Sequence, residues 1–335
     1  MQYRNKLDTT RVLIGSCTAV VLSLLALWLV YRQIPDKARL ERLVEQVSLP
    51  YFVVGLLLVC GSWLADTARL VAIAKSLGYR PGFWQTLGGI LAGNFLTLST
   101  PFLAGGAPAV AYALHLEGLT WADAASVVIV GGLASQLALS LLALASLWLL
   151  ASMAVPPKWI GVLVLFALGY AAFMVSMALL AYFYDKLDPK ARQLVGHLAV
   201  GRKVIEWLRH LNVSFKTVVL RGKLSFVEAL GYAFLYFFMF FGVAPMCFMA
   251  LGMRRTWWNV MAVQVLVHTL AGITPTPGGS GASELGAFFL LGRFGGRSLI
   301  GAYVLLWRAC TFFFNLVAGL VGFVFLVGRT AVGGR

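Results

Sequence analysis

The chain has 335 residues, of which 60% are hydrophobic and only 12% are charged. This composition excludes an ordinary soluble globular protein and indicates an integral membrane protein. The 27 Lys and Arg residues outnumber the 12 Asp and Glu residues and give a formal charge of +15. In so apolar a chain, that excess indicates contact with an anionic bilayer surface rather than with nucleic acid.

Apolar runs in chain order predict an all-α polytopic protein with about six spanning helices. A helix needs about 20 apolar residues to cross a hydrocarbon core of about 30 Å. Runs of that length lie at residues 11–31, 50–74, 122–151, 159–184, 224–251 and 297–328. The first shows no small-residue cleavage site, so we expect a retained helix. Two shorter runs, 84–100 and 257–273, lead into Thr-Pro pairs.

The two shorter runs belong to an internal repeat with an offset of 174 residues. Segments 77–101 and 251–275 align without gaps and are identical at 7 of 25 positions. When the two predicted spans that flank the first segment are shifted by the same 174 residues, they coincide with the two predicted spans that flank the second segment. We therefore predict two structural repeats, at 50–151 and 224–328, within a single membrane domain that covers the chain.

Each repeat contains a break rich in glycine and proline. The first break reads TPFLAGGAP at 100–108, and the second reads TPTPGGSGAS at 274–283. Proline removes a backbone donor and glycine disfavours helix, so neither stretch should continue as regular helix. Irregular backbone at membrane depth is tolerated only where protein or a water-filled cavity covers it. We therefore predict two re-entrant helical hairpins; the alternative is two surface loops, with 84–100 as a short span.

The segment 185–223 carries nine of the Lys and Arg residues and is predicted to be cytoplasmic. We therefore expect both termini in the cytoplasm and the protein in the plasma membrane, the inner membrane in a bacterium. An odd number of spans separates the hairpins, so the repeats are inverted, as is usual in transporters.

Part of this basic segment is amphipathic. Residues Val204, Ile205, Leu208 and Leu211 fall on one helical face, with basic residues mostly elsewhere. This spacing predicts an interfacial helix on an anionic leaflet; a solvated basic loop is the alternative.

The breaks and two buried arginines predict an anion site. Half-helices that begin just after Gly106 and Gly279 would point unsatisfied N–H groups toward the membrane interior. Arg69 and Arg308 add positive charge within predicted spans, where a lipid phosphate could bind. The candidate binding residues are Arg69, Asn94, Pro101, Gly105, Gly106, His268, Pro277, Gly278, Gly279, Gly281 and Arg308. For Asn94 and His268, helix–helix hydrogen bonds are the alternative that we favour.

Glu284 follows the second break and has two interpretations. It could be a structural carboxylate, stabilised by the helix start or by a salt bridge to Arg308. It could instead be a coupling or gating carboxylate that gains and loses a proton. Both hold if the pair with Arg308 opens when a lipid phosphate displaces the carboxylate. Asp66 and Arg69 are three residues apart, which predicts an ion pair within one helix.

The run PGGSGASE at 277–284 resembles the P-G-G-x-G-x-x-E pattern of the flippase-like membrane region shared by lysylphosphatidylglycerol synthases and stand-alone relatives. Further matches in this sequence are Arg69, Asn94, Pro101, Gly105, Gly106, Trp307 and Arg308. In the synthases this region is thought to translocate the modified phospholipid, while a separate soluble domain makes it. Nothing follows residue 335, so we expect no synthase activity.

The resemblance implies a lipid substrate but leaves its identity open. Stand-alone relatives are linked to phospholipid, hopanoid and polyprenyl-linked sugar metabolism. The first break has Phe102 and Leu103 where relatives often carry a basic residue, so their headgroup preference does not transfer.

We therefore expect a translocator of an anionic phospholipid or a polyprenyl-phosphate-linked lipid. A membrane-embedded lipid-linked transferase and a partner subunit of a lipid synthase are the alternatives. A transferase usually needs paired carboxylates, and outside the Asp66/Arg69 pair Glu284 is the only acid deep in an apolar run. No G-x-x-x-x-G-K-[ST] signature occurs, and we expect no metal or other cofactor. Apart from the lipid and the membrane, a second copy of the chain or a lipid synthase is left open as a partner.

Overall fold

A computed structural model of the chain describes residues 9–101, 105–151, 199–217, 223–253, 257–292 and 295–332, with scattered residues between 161 and 186. Within these residues the chain is helical and contains no strand. The predicted all-α class is confirmed for this part of the chain. The span predicted at 159–184 lies largely outside it.

The helices of the first half are α1 (Thr9–Arg32), α2 (Lys37–Glu45), α3 (Leu49–Ser76), α4 (Phe83–Ser99), α5 (Gly106–Leu116) and α6 (Trp121–Ala151). Those of the second half are α7 (Ala199–Lys216), α8 (Lys223–Ala250), α9 (Trp257–Ile273), α10 (Ala282–Leu291), α11 (Arg297–Arg308) and α12 (Phe314–Val332). A π-helical turn, Ala309–Phe313, joins α11 to α12.

Among the described residues, four helices are long and apolar enough to cross a membrane. They are Leu49–Ser76, Trp121–Leu149, Leu224–Ala250 and Arg297–Arg329. Each coincides with a span predicted from the sequence. In α1, the apolar stretch among the residues whose side chains are described is Val20–Arg32.

The outer faces of these helices suit a lipid environment. On α12, Val317, Val321 and Val324 are 64%, 66% and 63% exposed. Their spacing of four and three residues places them on one helical face. A stripe of this kind would be unfavourable in water, and it is expected where a helix faces lipid.

Proline ends the helices that lead into the breaks. The residue before a proline is disfavoured in helical conformation. Helix α4 accordingly ends at Ser99, just before Thr100 and Pro101, and α9 ends at Ile273, just before the Thr-Pro pair of the second break. Each break is followed by a short helix, α5 or α10, which forms a helical hairpin with its predecessor.

Small residues allow the two helices of the first hairpin to approach each other closely. A Cβ added at Gly89 would collide with the Cβ of Ala113. Near the break, a Cβ at Gly106 would lie 2.8 Å from the Gly93 carbonyl oxygen. Helices α4 and α5 therefore pack antiparallel at close range along their length.

The chain divides into two compact units, each built from separate stretches of sequence. The first unit comprises Met1–Cys60, Leu91–Ala109 and Met239–Arg335, and the second comprises Gly61–Ile90 and Val110–Phe238. The core of the first unit includes Phe248 and Tyr303, whose ring centroids lie 4.4 Å apart. The core of the second unit includes Leu70, Ile73, Leu114, Val127 and Val130.

Within the second unit, α7 occupies most of the predicted amphipathic stretch. It buries Ile205 and exposes Arg202 and His210, as the spacing predicts. His210 Nε2 lies 3.1 Å from Asp123 Oδ1, and Tyr79 donates a 2.7 Å hydrogen bond to Asp123 Oδ2. Asp123 thus joins α7 to the start of α6 and to the turn after α3.

Candidate anion site

The second break is a compact turn. Residues Pro277–Gly279 form one turn of 3₁₀ helix. The φ angles of Gly278 and Gly281 are 64° and 91°, in the left-handed region that favours glycine. Helix α10 therefore begins at Ala282. The prediction that this half-helix begins just after Gly279 was wrong, because Gly281 still has a non-helical backbone.

The Glu284 side chain is fully buried, at 0% exposure, and accepts three hydrogen bonds. Its Oε2 accepts from the Gly281 backbone N–H at 2.7 Å. Its Oε1 accepts from the Ser23 hydroxyl at 2.7 Å and forms an ion pair with Arg308 Nη2 at 2.6 Å. The expected salt bridge to Arg308 is present, and the carboxylate also caps the start of its own helix.

Arg308 is 4% exposed and is held at the end of α11, where the π-helical turn begins. Its Nη2 also donates to the Ser280 hydroxyl at 3.3 Å and to the Ser23 hydroxyl at 3.4 Å. Its guanidinium lies 4.3 Å from the ring centroid of Phe312, a cation–π contact. Among the described residues, Arg308 Nε has no hydrogen-bond partner.

This arrangement contains the kinds of donor that bind anions, and a side chain of the protein itself occupies them. A guanidinium, a hydroxyl and a backbone N–H at a helix N-terminus converge on one carboxylate. The same donors bind phosphate oxygens in proteins. The sequence predicted unsatisfied N–H groups at this helix start, but the N–H of Gly281 is satisfied by Glu284.

The second break packs against the end of α4 within the first unit. A Cβ placed on Gly278 would lie 3.2 Å from the Leu98 carbonyl oxygen, near the end of α4, and 2.7 Å from the Phe312 ring. Gly278 thus brings the second break against both the helix that enters the first break and the ring beneath Arg308. Pro277, Gly278 and Gly279 are all buried.

The first break has no charged partner among the residues that the structure describes. The Gly105 N–H donates to Thr100 Oγ1 at 2.8 Å, which closes the turn after α4. Pro101 is exposed, whereas Gly106 is buried at the start of α5. Helix α5 begins at Gly106 itself, one residue before the start that was predicted just after this glycine.

Asn94 and His268 lie on the helices that enter the breaks, and both are half-buried. The ring of His268 meets Phe240 and Phe241 edge to face, with centroids 5.6 Å apart in each case. Within the described part of the chain, neither residue is a hydrogen-bond partner of Glu284. Their assignment to the binding set stays a prediction.

Arg69 belongs to the second unit and has its own counterion. Its Nη2 lies 2.5 Å from Asp66 Oδ1, one turn earlier on α3. The ion pair predicted from the spacing is therefore confirmed. The predicted role of Arg69 in binding lipid stays a prediction.

Ser23 and Ser280 were missed by sequence analysis. Ser23 is one of several hydroxyl residues in the first apolar run, and its residue type carries no signal of its partner. Ser280 lies inside the PGGSGASE motif at a position that the pattern leaves free, so it could have been considered.

Several apolar helices, broken helices and a buried ion pair define a multi-pass membrane protein with a buried polar site. Comparison with known families agrees with this class. The family model described as lysylphosphatidylglycerol synthase TM region matches residues 16–319, and the chain belongs to this family. It is also 22% identical over 298 residues to a UPF0104 membrane protein of Archaeoglobus fulgidus, an alignment that covers 83% of this chain and 87% of that protein.

Proposed function

We propose that this protein moves an anionic lipid, a phospholipid or a polyprenyl-phosphate-linked lipid, between the leaflets of its membrane. The observation that carries the proposal is the position of the Glu284 carboxylate, which fills an anion site built from Arg308, Ser23 and the N-terminus of α10. The family match supports a membrane role, since the matched region is the TM region of a lipid synthase.

Exchange of anions at Arg308 is the central step. A lipid phosphate offers the guanidinium a stronger, bidentate partner than a carboxylate bound through one nitrogen. The unused Nε–H of Arg308 leaves a second donor for such a ligand. Once displaced, Glu284 takes up a proton, because an unpaired carboxylate at this depth is costly. Lipid binding and proton uptake are thereby coupled at one residue.

The hairpins suit alternating access. Helices α5 and α10 have 11 and 10 residues, so they extend about 15 Å each and cannot cross a core of about 30 Å. Hairpins of this size enter the membrane and return to the same side. Two of them in inverted repeats, with the basic segment 185–223 in the cytoplasm, would expose one site to each leaflet in turn.

Transbilayer movement in proteoliposomes tests the proposal. Fluorescent phosphatidylglycerol and phosphatidic acid are placed in both leaflets, and quencher access reports exchange, with phosphatidylcholine as the zwitterionic control. We expect movement of the anionic lipids above that of empty vesicles. Glu284→Gln and Arg308→Ala should each slow it by about 10- to 100-fold, the effect of losing one charge-assisted hydrogen bond.

Matched controls come from an exposed acid and an exposed base on α2. Glu41→Gln and Arg42→Ala make the same chemical changes at exposed positions and should leave the rate unchanged. Movement that survives both Glu284→Gln and Arg308→Ala would place the site elsewhere. No movement of any lipid, with a pH gradient or a membrane potential applied, would favour a transferase or a synthase partner instead.

A further inference from the structure

The site at Glu284 is closed, so a lipid phosphate can reach it only after part of the protein moves. Glu284 and Ser23 are 0% exposed, and Arg308 is 4% exposed. Helices α10 and α11 carry the ion-paired side chains themselves. Helix α1, among the described residues, contributes one hydrogen-bonding group to the site, the Ser23 hydroxyl. Of these three helices, α1 can therefore move with the least change to the ion pair.

Helix α1 forms a wall one helix thick over the site. One face of α1 is exposed and carries large apolar side chains, among them Leu25 at 49% and Trp28 at 48% exposure. The opposite face packs against the turn of the second break, α10 and α11. This inner face buries four residues at helical spacing, Ser23, Ala26, Val30 and Ile34. The site thus lies directly behind a helix whose outer face suits lipid.

The part of α1 nearest the site has small side chains, because Ala26 follows Ser23 on the inner face. In a membrane, no hydrophobic force holds two helices together, and their association depends on packing and hydrogen bonds. Separation of α1 at this level would expose small side chains to lipid and break the hydrogen bonds of Ser23. The 2.6 Å ion pair between Glu284 and Arg308 does not involve α1. Opening at the level of Ser23 therefore disrupts few contacts.

The C-terminal end of α1, in contrast, is anchored to α11. A Cβ placed on Gly301 of α11 would collide with Ile34 Cδ1 and lie 3.2 Å from Ile34 Cγ1. The absence of a side chain at Gly301 thus lets Ile34 pack closely against α11. Two residues further on, the backbone carbonyl of Asp36 accepts a 3.0 Å hydrogen bond from the Ser298 hydroxyl. Helix α2, which begins at the next residue, also packs against α11.

We propose that α1 is the gate through which an anionic lipid enters the site from the bilayer, pivoting at residues 33–36 and opening at Ser23. These residues join α1 to α2 without regular helix, and hinges commonly lie at the ends of helices. Ser23 lies about 14 Å along the helix axis from Arg32, where α1 ends, so a pivot there displaces Ser23 more than Ile34. The inference rests on the proposed function, because it takes the ligand to be an anionic lipid.

Distances between pairs of nitroxide spin labels test this movement on the full chain in lipid nanodiscs. The four native cysteines are first replaced by alanine, and the thermal midpoint checks that this background is folded. One label replaces Leu25 on the outer face of α1, and its partner replaces Val317 on the exposed face of α12. A lipid that binds the open state shifts the population toward it. Phosphatidic acid should therefore lengthen this distance relative to nanodiscs of phosphatidylcholine alone.

A second pair of labels reports on the anchored end. Glu41 lies on α2 and is exposed, so labels at Glu41 and Val317 compare α2 with the same reference helix. Phosphatidic acid should leave this distance unchanged. In Arg308→Ala, which lacks the guanidinium that would bind the phosphate, phosphatidic acid should no longer lengthen the distance between Leu25 and Val317.

A matched pair of substitutions tests the inner face of α1 without any lipid ligand. Ala26→Phe adds a ring to the buried face and should hold α1 away from the site, because a packed contact cannot absorb that volume. The distance between Leu25 and Val317 should then be longer in phosphatidylcholine alone. Leu29→Phe places the same ring on the outer face, where Leu29 is 39% exposed, and should not change the distance.

The possible results separate the gate from the proposed function. Equal distances between Leu25 and Val317 in the two lipids would overturn the gate, as would an equal lengthening of the pair at Glu41 and Val317. A lengthening that persists in Arg308→Ala would also overturn it, because the phosphate would then act elsewhere. An unchanged distance in a protein that moves anionic lipid would reject the gate and leave the proposed function intact. An opening in a protein that moves no lipid would support the gate and contradict translocation.

Discussion

The ion pair between Glu284 and Arg308 makes a strong prediction about stability. We consider the single variants Glu284→Gln and Arg308→Met and the double variant that carries both. Each single change leaves one buried group without its charged partner. The double change removes both charges and replaces them with neutral side chains of similar length.

The magnitude follows from the contacts. In Glu284→Gln, the amide oxygen can still accept from Ser23 and Arg308, but the amide nitrogen faces the Gly281 N–H, donor against donor. One charge-assisted hydrogen bond, about 1.5–3 kcal/mol, is lost. Arg308 also loses its counterion, so the total cost is about 3–5 kcal/mol, as for other broken buried pairs. Arg308→Met leaves a fully buried carboxylate and should cost about as much.

The double variant should cost much less than the sum of the single variants. Replacement of a buried ion pair by neutral groups is often close to neutral in stability, and only the mismatch at Gly281 remains, at about 1–3 kcal/mol. The coupling energy is therefore expected to be about 3 kcal/mol or more, whereas independent sites are additive within about 0.5 kcal/mol.

Thermal unfolding of the purified protein in detergent, at one scan rate, measures these differences. Each single variant should lower the midpoint by about 6 to 20 °C, at about 2–4 °C per kcal/mol for a chain of this size. The double variant should recover most of the loss, and Glu41→Gln should match the wild type. Additive losses in the double variant, or a wild-type midpoint for Glu284→Gln, would refute the idea that these two groups neutralise each other.

Three further predictions concern single positions. Gly278→Ala should lower stability by about 1–3 kcal/mol, because φ is 64° and the added methyl group would meet the Phe312 ring and a carbonyl oxygen. Gly281→Ala, with φ 91° but open surroundings, should cost only about 1 kcal/mol. Equal thermal midpoints for the two variants would contradict the packing argument. Ser23→Ala removes one donor to the buried carboxylate and should slow anionic lipid movement about fivefold in proteoliposomes; an unchanged rate would show that this hydroxyl is dispensable. The hydrogen bond to the Asp123 carboxylate raises the pKa of Tyr79. Tyr79 therefore contributes stability that is fully present below its unfolded-state pKa of about 10 and is lost as the pH rises through its folded-state pKa. The difference between the tyrosinate absorbance titrations of the wild type and of Tyr79→Phe should show a midpoint above about pH 10. A midpoint at or below that pH would contradict the predicted rise in the pKa of Tyr79.

Much of the helical framework could be predicted from the sequence because its causes are local. Hydrophobic length sets the spans, and proline sets the ends of α4 and α9. The start of α5 was predicted just after Gly106 and lies at Gly106 itself, whereas α10 starts at Ala282 and not just after Gly279. The later start of α10 comes from backbone conformation, because three glycines with positive φ extend the break. The residue type alone does not show which of these glycines is the last before the helix.

The partners of the site were predictable only where charge limits the choices. Glu284 is the only deep acid outside the helix pair on α3, and Arg308 was the arginine paired with it in our prediction. The hydrogen bonds that Ser23 makes with Glu284 and with Arg308 were not predictable. Helix α1 is far from both residues in sequence, and a serine in an apolar run does not identify its neighbour.

The arrangement at Glu284 has a physical consequence for how a lipid could be bound and released. An empty cluster of donors around Arg308 would leave a buried positive charge without a counterion, at a cost of several kcal/mol. The internal carboxylate removes that cost, and it also competes with any phosphate for the same donors. Under the proposed function, a lipid phosphate therefore displaces Glu284 in order to bind, and the returning carboxylate favours its release. A variant that keeps the charge but shortens the reach, Glu284→Asp, would weaken this competition, so we expect it to retain lipid longer and to move it more slowly than the wild type.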